Sequence, residues 1–122
     1  MFNSLFKRPA NSVQNVNPRQ ILDWQGSGDV VFVDVRNPGE IAASGTVKGA
    51  VRIPLPALDN FAKPDGSGKL PSVASGKAIV VFCASGMRSA SAASRLADLG
   101  YEKVYNMGGF GGWAQAGGKT ER

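Results

Sequence analysis

The chain holds one cysteine, Cys83, and no histidine. Any thiol nucleophile is therefore Cys83, and it works without an imidazole base. The missing histidine excludes Ser/His/Asp and Cys/His catalysis, histidine acid–base chemistry and histidine-containing zinc or iron sites. A lone thiol also excludes an intrachain disulfide. After Cys83 the sequence runs Ala84-Ser85-Gly86-Met87-Arg88-Ser89. None of these residues is acidic, Gly86 permits backbone geometry closed to other residues, and Arg88 brings positive charge. A loop of this kind wrapped around a sulfur can aim successive backbone N–H groups at it, and a helix N-terminus adds its dipole. Such surroundings lower a cysteine pKa from ~8.5 to between ~3.5 and ~7.5. The chemistry indicated is a thiolate activated by electrostatics alone. It requires Cys83 to be ionised and open to solvent. The competing reading is a buried structural cysteine, because free cysteine is among the most buried residue types.

The elements around Cys83 favour the reactive reading. Ala78-Ile79-Val80-Val81-Phe82 is a continuous apolar, β-branched run, as is Val30-Val31-Phe32-Val33-Asp34-Val35. Short runs of this type read as strands buried on both faces of a parallel sheet. Cys83 is then one residue past a strand and a few before a helix, expected over 88–99. In open α/β sheets, ligands bind beyond the carboxyl ends of the strands. Asn17-Pro18-Arg19-Gln20 opens a helix, with Asn17 as cap and Gln20 completing a capping box. Asn37-Pro38-Gly39 reads as a turn, 40–44 as a short helix, and Val51-Arg52-Ile53 as a short strand. Residues 56–61 form a helical turn, and 63–77, with two prolines and three glycines, a surface loop. Val104-Tyr105-Asn106-Met107 is a further strand, Gly108 to Trp113 a glycine-rich turn, and 113–116 a short helix. Alternating strands and helices argue an α/β domain with a mostly parallel sheet. The domain is expected over 17–117, with a flexible lead-in at 1–16 and a tail at 118–122.

Composition bounds the function further. The 122 residues suit one domain. Hydrophobic residues make up 43% and charged residues 19%, a globular balance. The net charge is +5, but the basic residues are scattered, with Lys7-Arg8 the only adjacent pair. Nucleic-acid binders usually show a cluster or stripe, so small anionic substrates fit the charge better. No apolar run approaches the ~20 residues of a membrane span. The first ten residues lack the order of charges and apolar core found in a signal peptide, and the single thiol suits a reducing compartment. A cytoplasmic location, with neither membrane nor nucleic acid as partner, is expected.

Three stretches, in order, resemble the rhodanese-like sulfurtransferases. Val33-Asp34-Val35-Arg36 with Pro38 and Glu40 is similar to the family's D-V-R-x-x-x-E. Gly45-Thr46-Val47-Lys48-Gly49-Ala50-Val51-Arg52-Ile53-Pro54 is similar to G-H-I-x-G-A-x-N-I-P. Cys83-Ala84-Ser85-Gly86-Met87-Arg88-Ser89 is similar to C-x-x-G-x-R-S, with Gly108-Gly109 and Trp113 like the G-G-x-x-x-W that follows it. The resemblance implies a rhodanese-like fold, a central five-stranded, mostly parallel sheet flanked by helices on both faces. It implies that Cys83 takes sulfane sulfur from a small anionic donor such as thiosulfate, forms a persulfide, and passes the sulfur to cyanide or a thiol. The amides of Ala84, Ser85, Gly86, Met87, Arg88 and Ser89 would bind the substrate, and Arg88 would add charge or brace the loop. No cofactor or metal is implied. A sulfur-relay protein is a further expected partner. The family's histidine is Thr46 here and its frequent aromatic after the glutamate is Ile41, both expected to be packing changes.

Four charged residues have alternative roles. Asp34 ends a strand at the edge that carries Cys83, and is expected to be a structural acceptor or a buried partner of Arg36 rather than catalytic. Arg36 and Glu40 read as a salt bridge fixing the loop. Arg52, at the family's asparagine, reads as a surface arginine, with steering of an anionic donor as the alternative. Two other functions compete: a sulfur carrier or interaction module with little turnover on thiosulfate, and a cysteine-loop phosphatase or arsenate reductase. The second needs C-x5-R, whereas Cys83 and Arg88 give C-x4-R, a tighter loop better matched to a sulfur atom.

Overall fold

The computed structural model describes residues 13–122. The lead-in expected over 1–16 falls mainly outside these residues, but its end does not. Gln14–Asn15 form a short strand, β1, paired in parallel with Tyr105 and Asn106. The sheet therefore begins inside the stretch expected to be loose.

Four further strands complete a five-stranded parallel sheet: β2 (Val30–Asp34), β4 (Val51–Arg52), β5 (Ala78–Cys83) and β6 (Val104–Gly109), in the order β1-β6-β5-β2-β4. The two apolar runs lie side by side, with Val30 to Asp34 in register with Ala78 to Phe82. β5 is buried along its whole length, as a central strand must be when both faces are covered.

Side-chain alternation along β5 divides the core into two layers. Ile79, Val81 and Cys83 face one layer with Ala92, Ala93 and Leu96 of helix α3 (Met87–Asp98). Val80 and Phe82 face the other, with Phe32, Phe110 and Trp113. Helix α1 (Pro38–Ser44) follows β2, α2 (Leu58–Phe61) follows β4, and α4 (Phe110–Gln115) follows β6. The expected α/β architecture with covered faces is the one observed.

Several local expectations change. Cys83 is the last residue of β5, not the first after it. The capping box at Asn17 and Gln20 forms, but starts a 3-10 turn over Pro18–Gln20 and not an α-helix. Asn37-Pro38-Gly39 is not a free turn. Asn37 caps α1 and Pro38 occupies its first turn, where a missing N–H costs nothing. The glycine-rich stretch after Met107 divides between the end of β6 and α4. The 118–122 tail is also structured. Thr120–Glu121 form β7, antiparallel to β3 (Thr46–Val47), and Trp113 Nε1 donates to Lys119 O at 2.9 Å. No helix among the described residues is long and apolar enough to cross a membrane.

Candidate active site

Strand alternation points Cys83 toward α3, and the chain then turns back over its sulfur. Gly86 makes the turn possible. It has φ +99° and is the residue just before α3, a left-handed conformation that a side chain would oppose. The Gly86 N–H reaches Cys83 Sγ at 3.0 Å and the Ser89 N–H at 3.4 Å, with the Ser89 hydroxyl also at 3.4 Å. Burial by itself would push the thiol up. The Ser89 hydroxyl and the amides of Ser89, Gly86 and Ser85 outweigh it, and the Cys83 thiol falls below its ordinary value. The arrangement stabilises negative charge on sulfur with no base in contact.

The expectation of an open thiol is not met. Cys83 has no exposed surface. The loop that turns back over it is itself in contact with solvent: Ala84 and Ser85 are exposed, and Met87 is 78% exposed.

Arg88 does not present a free charge to an incoming anion. Its Nη1 and Nη2 donate to Glu40 Oε2 at 2.7 Å and Oε1 at 2.8 Å, a bidentate pair from α3 to α1. Glu40 Oε2 also accepts from the Asn37 N–H at 3.0 Å. The Arg88 hydrogen bonds, then the Asn37 amide, hold the Glu40 carboxyl down at about 2, and the same pairing raises Arg88. The expected Arg36–Glu40 bridge is therefore replaced by Arg88–Glu40. Forty-eight residues separate these partners, so no local pattern reveals them.

Arg36 pairs with Asp34. Its Nη2 lies 2.7 Å from Asp34 Oδ2 and its Nε 3.0 Å from Oδ1. Thr46 Oγ1 donates to Oδ2 at 2.7 Å, and the remaining guanidinium donors reach Ser44 Oγ and Gly45 O. Asp34 is wholly buried and Arg36 nearly so. This fully bonded node joins the ends of β2 and α1 to β3. Thr46 serves it directly, and Ile41 is buried in the core. Arg52 is exposed at its strand, and its backbone carbonyl accepts from Lys69 Nζ.

One residue of the site escapes the sequence reading. Asn106, on β6 opposite Val81, accepts from the Ser89 hydroxyl at 2.7 Å and from the Gly108 N–H at 2.9 Å, and donates to Gly86 O at 3.2 Å. A bulge in β6 follows it, with Val81 opposite Asn106 and Phe82 opposite Gly108. Bulges next to sites re-aim side chains. The available signal was a polar residue inside an apolar strand. A separate cavity of about 400 Å³ lies at the opposite edge of the sheet, lined in part by Trp24, Asp29, Lys77, Lys103 and Tyr105, and none of its lining residues belongs to the Cys83 loop.

Comparison with known proteins gives this geometry a family. The chain is 32% identical over 111 residues to a tRNA uridine(34) hydroxylase of Cupriavidus taiwanensis, an alignment covering 86% of this chain and 38% of that protein. It thus spans little more than a third of the length of that relative. It is 34% identical over 90 residues to a sulfurtransferase of Allochromatium vinosum, covering 73% of this chain and 76% of the relative. Among solved structures, a protein of Rhodopseudomonas palustris described as a possible tyrosine phosphatase superposes with a TM-score of 0.76 at 32% identity, covering 92% of this chain and 88% of the other. A rhodanese-related protein of Thermoplasma volcanium superposes with a TM-score of 0.67 at 25% identity, covering 88% and 97%. The family model for the rhodanese-like domain matches residues 17–116, and the chain belongs to that family.

Proposed function

We propose that this chain is a sulfurtransferase that carries sulfane sulfur as a persulfide on Cys83. The observation that carries the reading is the pair of backbone donors on one sulfur, Gly86 N–H and Ser89 N–H, with the Ser89 hydroxyl beside them and no carboxylate among residues 84–89. The Cys83 thiolate attacks the outer sulfur of an anionic donor such as thiosulfate. The sulfur–sulfur bond of the donor breaks, and sulfite leaves with its electron pair. Cyanide or a thiolate acceptor then attacks the outer sulfur of the persulfide, and the Cys83 thiolate is restored. Ping-pong kinetics follow from this two-step cycle. The donor's charge suits a site of backbone donors. Because Cys83 is buried, each half-reaction requires the loop after it to move and admit the donor or acceptor.

The phosphatase reading has less support. Arg88, the arginine that would bind a tetrahedral oxyanion, is engaged by Glu40 through both terminal nitrogens, and the loop is one residue shorter than C-x5-R. The domain's small share of the hydroxylase's length leaves no basis for transferring that reaction here. A relay role, in which Cys83 is loaded only by a partner protein's persulfide, shares the same chemistry at the sulfur.

Intact-mass measurement after exposure to thiosulfate tests the reading. The expected result is a gain of one sulfur atom, removed by cyanide and absent in Cys83→Ala. No gain with thiosulfate, but a gain with a protein persulfide, selects the relay role. No gain from either, with a folded protein, rejects sulfur transfer.

A further inference from the structure

The Ser89 hydroxyl has one proton and two claimants. Its oxygen lies 2.7 Å from Asn106 Oδ1 and 3.4 Å from Cys83 Sγ. The orientation of the Asn106 amide is fixed by its other bonds, since Oδ1 also accepts from the Gly108 N–H and Nδ2 donates to Gly86 O. A flipped amide would set donor against donor and acceptor against acceptor. Oδ1 is an acceptor only, so the short bond has one direction, from Ser89 to Asn106. The Ser89 oxygen then turns a lone pair to the sulfur. That suits an S–H donor and opposes a thiolate.

We propose that Asn106 is a positioning residue that competes with the ionised Cys83 sulfur for the Ser89 proton. In the resting state the chain of bonds runs from Cys83 S–H to Ser89 O–H to Asn106. When the thiol proton leaves to solvent, the Ser89 hydroxyl rotates about its C–O bond. Its bond to Asn106 breaks, one to the thiolate forms, and Oδ1 keeps the Gly108 amide. Asn106 thereby favours the resting thiol, and Ser89 changes from acceptor to donor as charge develops. The charged groups nearest the loop are paired: Arg88 of α3 with Glu40 of α1, and Asp34 with Arg36 at the end of β2. Further along α3, Arg95 pairs with Asp59 and Asp98 stands at the last residue of the helix. β6 contributes the neutral Asn106, and its Tyr105 packs in the other core layer. For its consequence in turnover the inference rests on the sulfur-transfer reading, but the exchange itself belongs to thiol ionisation and needs no sulfur donor.

The test is a pH titration of thiolate ultraviolet absorbance, using Cys83→Ala as baseline. The chain's single cysteine makes the signal assignable. Asn106→Ala frees the Ser89 hydroxyl, and should lower the titration midpoint by about one pH unit. In a Ser89→Ala background the same substitution should not lower it. Equal shifts in the two backgrounds, or no shift in either, overturn the proposal, since a purely structural Asn106 acts whether or not the hydroxyl is present. If Asn106→Ala does not fold, Asn106→Asp keeps the size and the acceptor and holds the hydroxyl more strongly. Its upward shift should then be larger with Ser89 than with Ala at 89, and equal shifts overturn the proposal as well. Failure to gain sulfur from any donor with this pattern intact would count against sulfur transfer and not against the exchange.

Discussion

Arg88 and Glu40 join the cysteine loop to the helix that follows β2, with both terminal guanidinium nitrogens on both carboxylate oxygens. The pair is the side-chain tie between the start of α3 and α1. Planar, two-point pairing of this sort fixes orientation as well as distance. On the proposed reading, Arg88 acts on the site by holding the loop that supplies the amides.

Removing either partner should have the same consequence. Arg88→Ala and Glu40→Gln should each lower kcat/KM for thiosulfate by between about ten- and a hundredfold, the range expected for a misplaced site. The double variant should be little worse than either single one. Steady-state kinetics on the four proteins checks this. Additive losses would show that Arg88 also meets the donor directly.

The same pair carries an acid dependence. Glu40 is depressed from its ordinary value of 4.5 to about 2, chiefly by hydrogen bonds from Arg88 and then by the Asn37 amide. A carboxylate depressed on folding adds stability that is complete above its unfolded value and is lost as pH falls through its folded one. The thermal midpoint of the native protein should exceed that of Glu40→Gln by a constant margin above about pH 4.5. The margin should narrow continuously toward pH 2. Melting curves across that interval test the sign, and a margin that widens on acidification contradicts it.

The large features were legible because they depend on composition over several residues. The runs at 30–35 and 78–82 are too apolar and β-branched for anything but buried strands, and they lie side by side in the sheet. What stayed hidden depends on partners distant in sequence. Gln14–Asn15 are polar and exposed, and become a strand only because β6 offers unpaired backbone. The same Asn-Pro opening gives a 3-10 turn at Asn17 and an α-helix at Asn37, so a cap signal marks where a helix starts but not how far it runs. Cys83 and its loop were readable from order and spacing. Charge pattern along the chain favours local pairs and so points Glu40 to Arg36, whereas the fold gives it Arg88. Burial of the sulfur is legible only as the competing reading of a lone cysteine, and its combination with a donor-lined loop is not, since exposure follows from how the loop folds back.

Asp34 tests whether a buried carboxylate near the site is structural. Asp34→Ala leaves Arg36 buried with its main counter-charge gone, and breaking one side of a buried pair costs about 3–5 kcal/mol. Urea unfolding should show a loss of that order. The folded fraction should still gain sulfur on Cys83. A stable variant that cannot form the persulfide would instead make Asp34 part of the chemistry.

Gly109 separates loop geometry from overall stability. A Cβ at this position would run into the carbonyl oxygen of Ala84, the first residue after Cys83. The obstacle is backbone, so the loop itself must shift rather than a side chain swing away. Gly109→Ala should therefore push residues 84–86 off the sulfur and lengthen the Gly86 N–H contact now at 3.0 Å. With fewer donors on sulfur, the thiolate loses stabilisation and its titration midpoint should rise, by about one pH unit for a charge-assisted bond lost. Persulfide formation at neutral pH should slow in proportion. Cys83 is at the carboxyl end of a strand buried throughout, so the sheet should hold while the loop yields. An unchanged midpoint in a folded Gly109→Ala protein would mean that the amides do not set the charge on this sulfur.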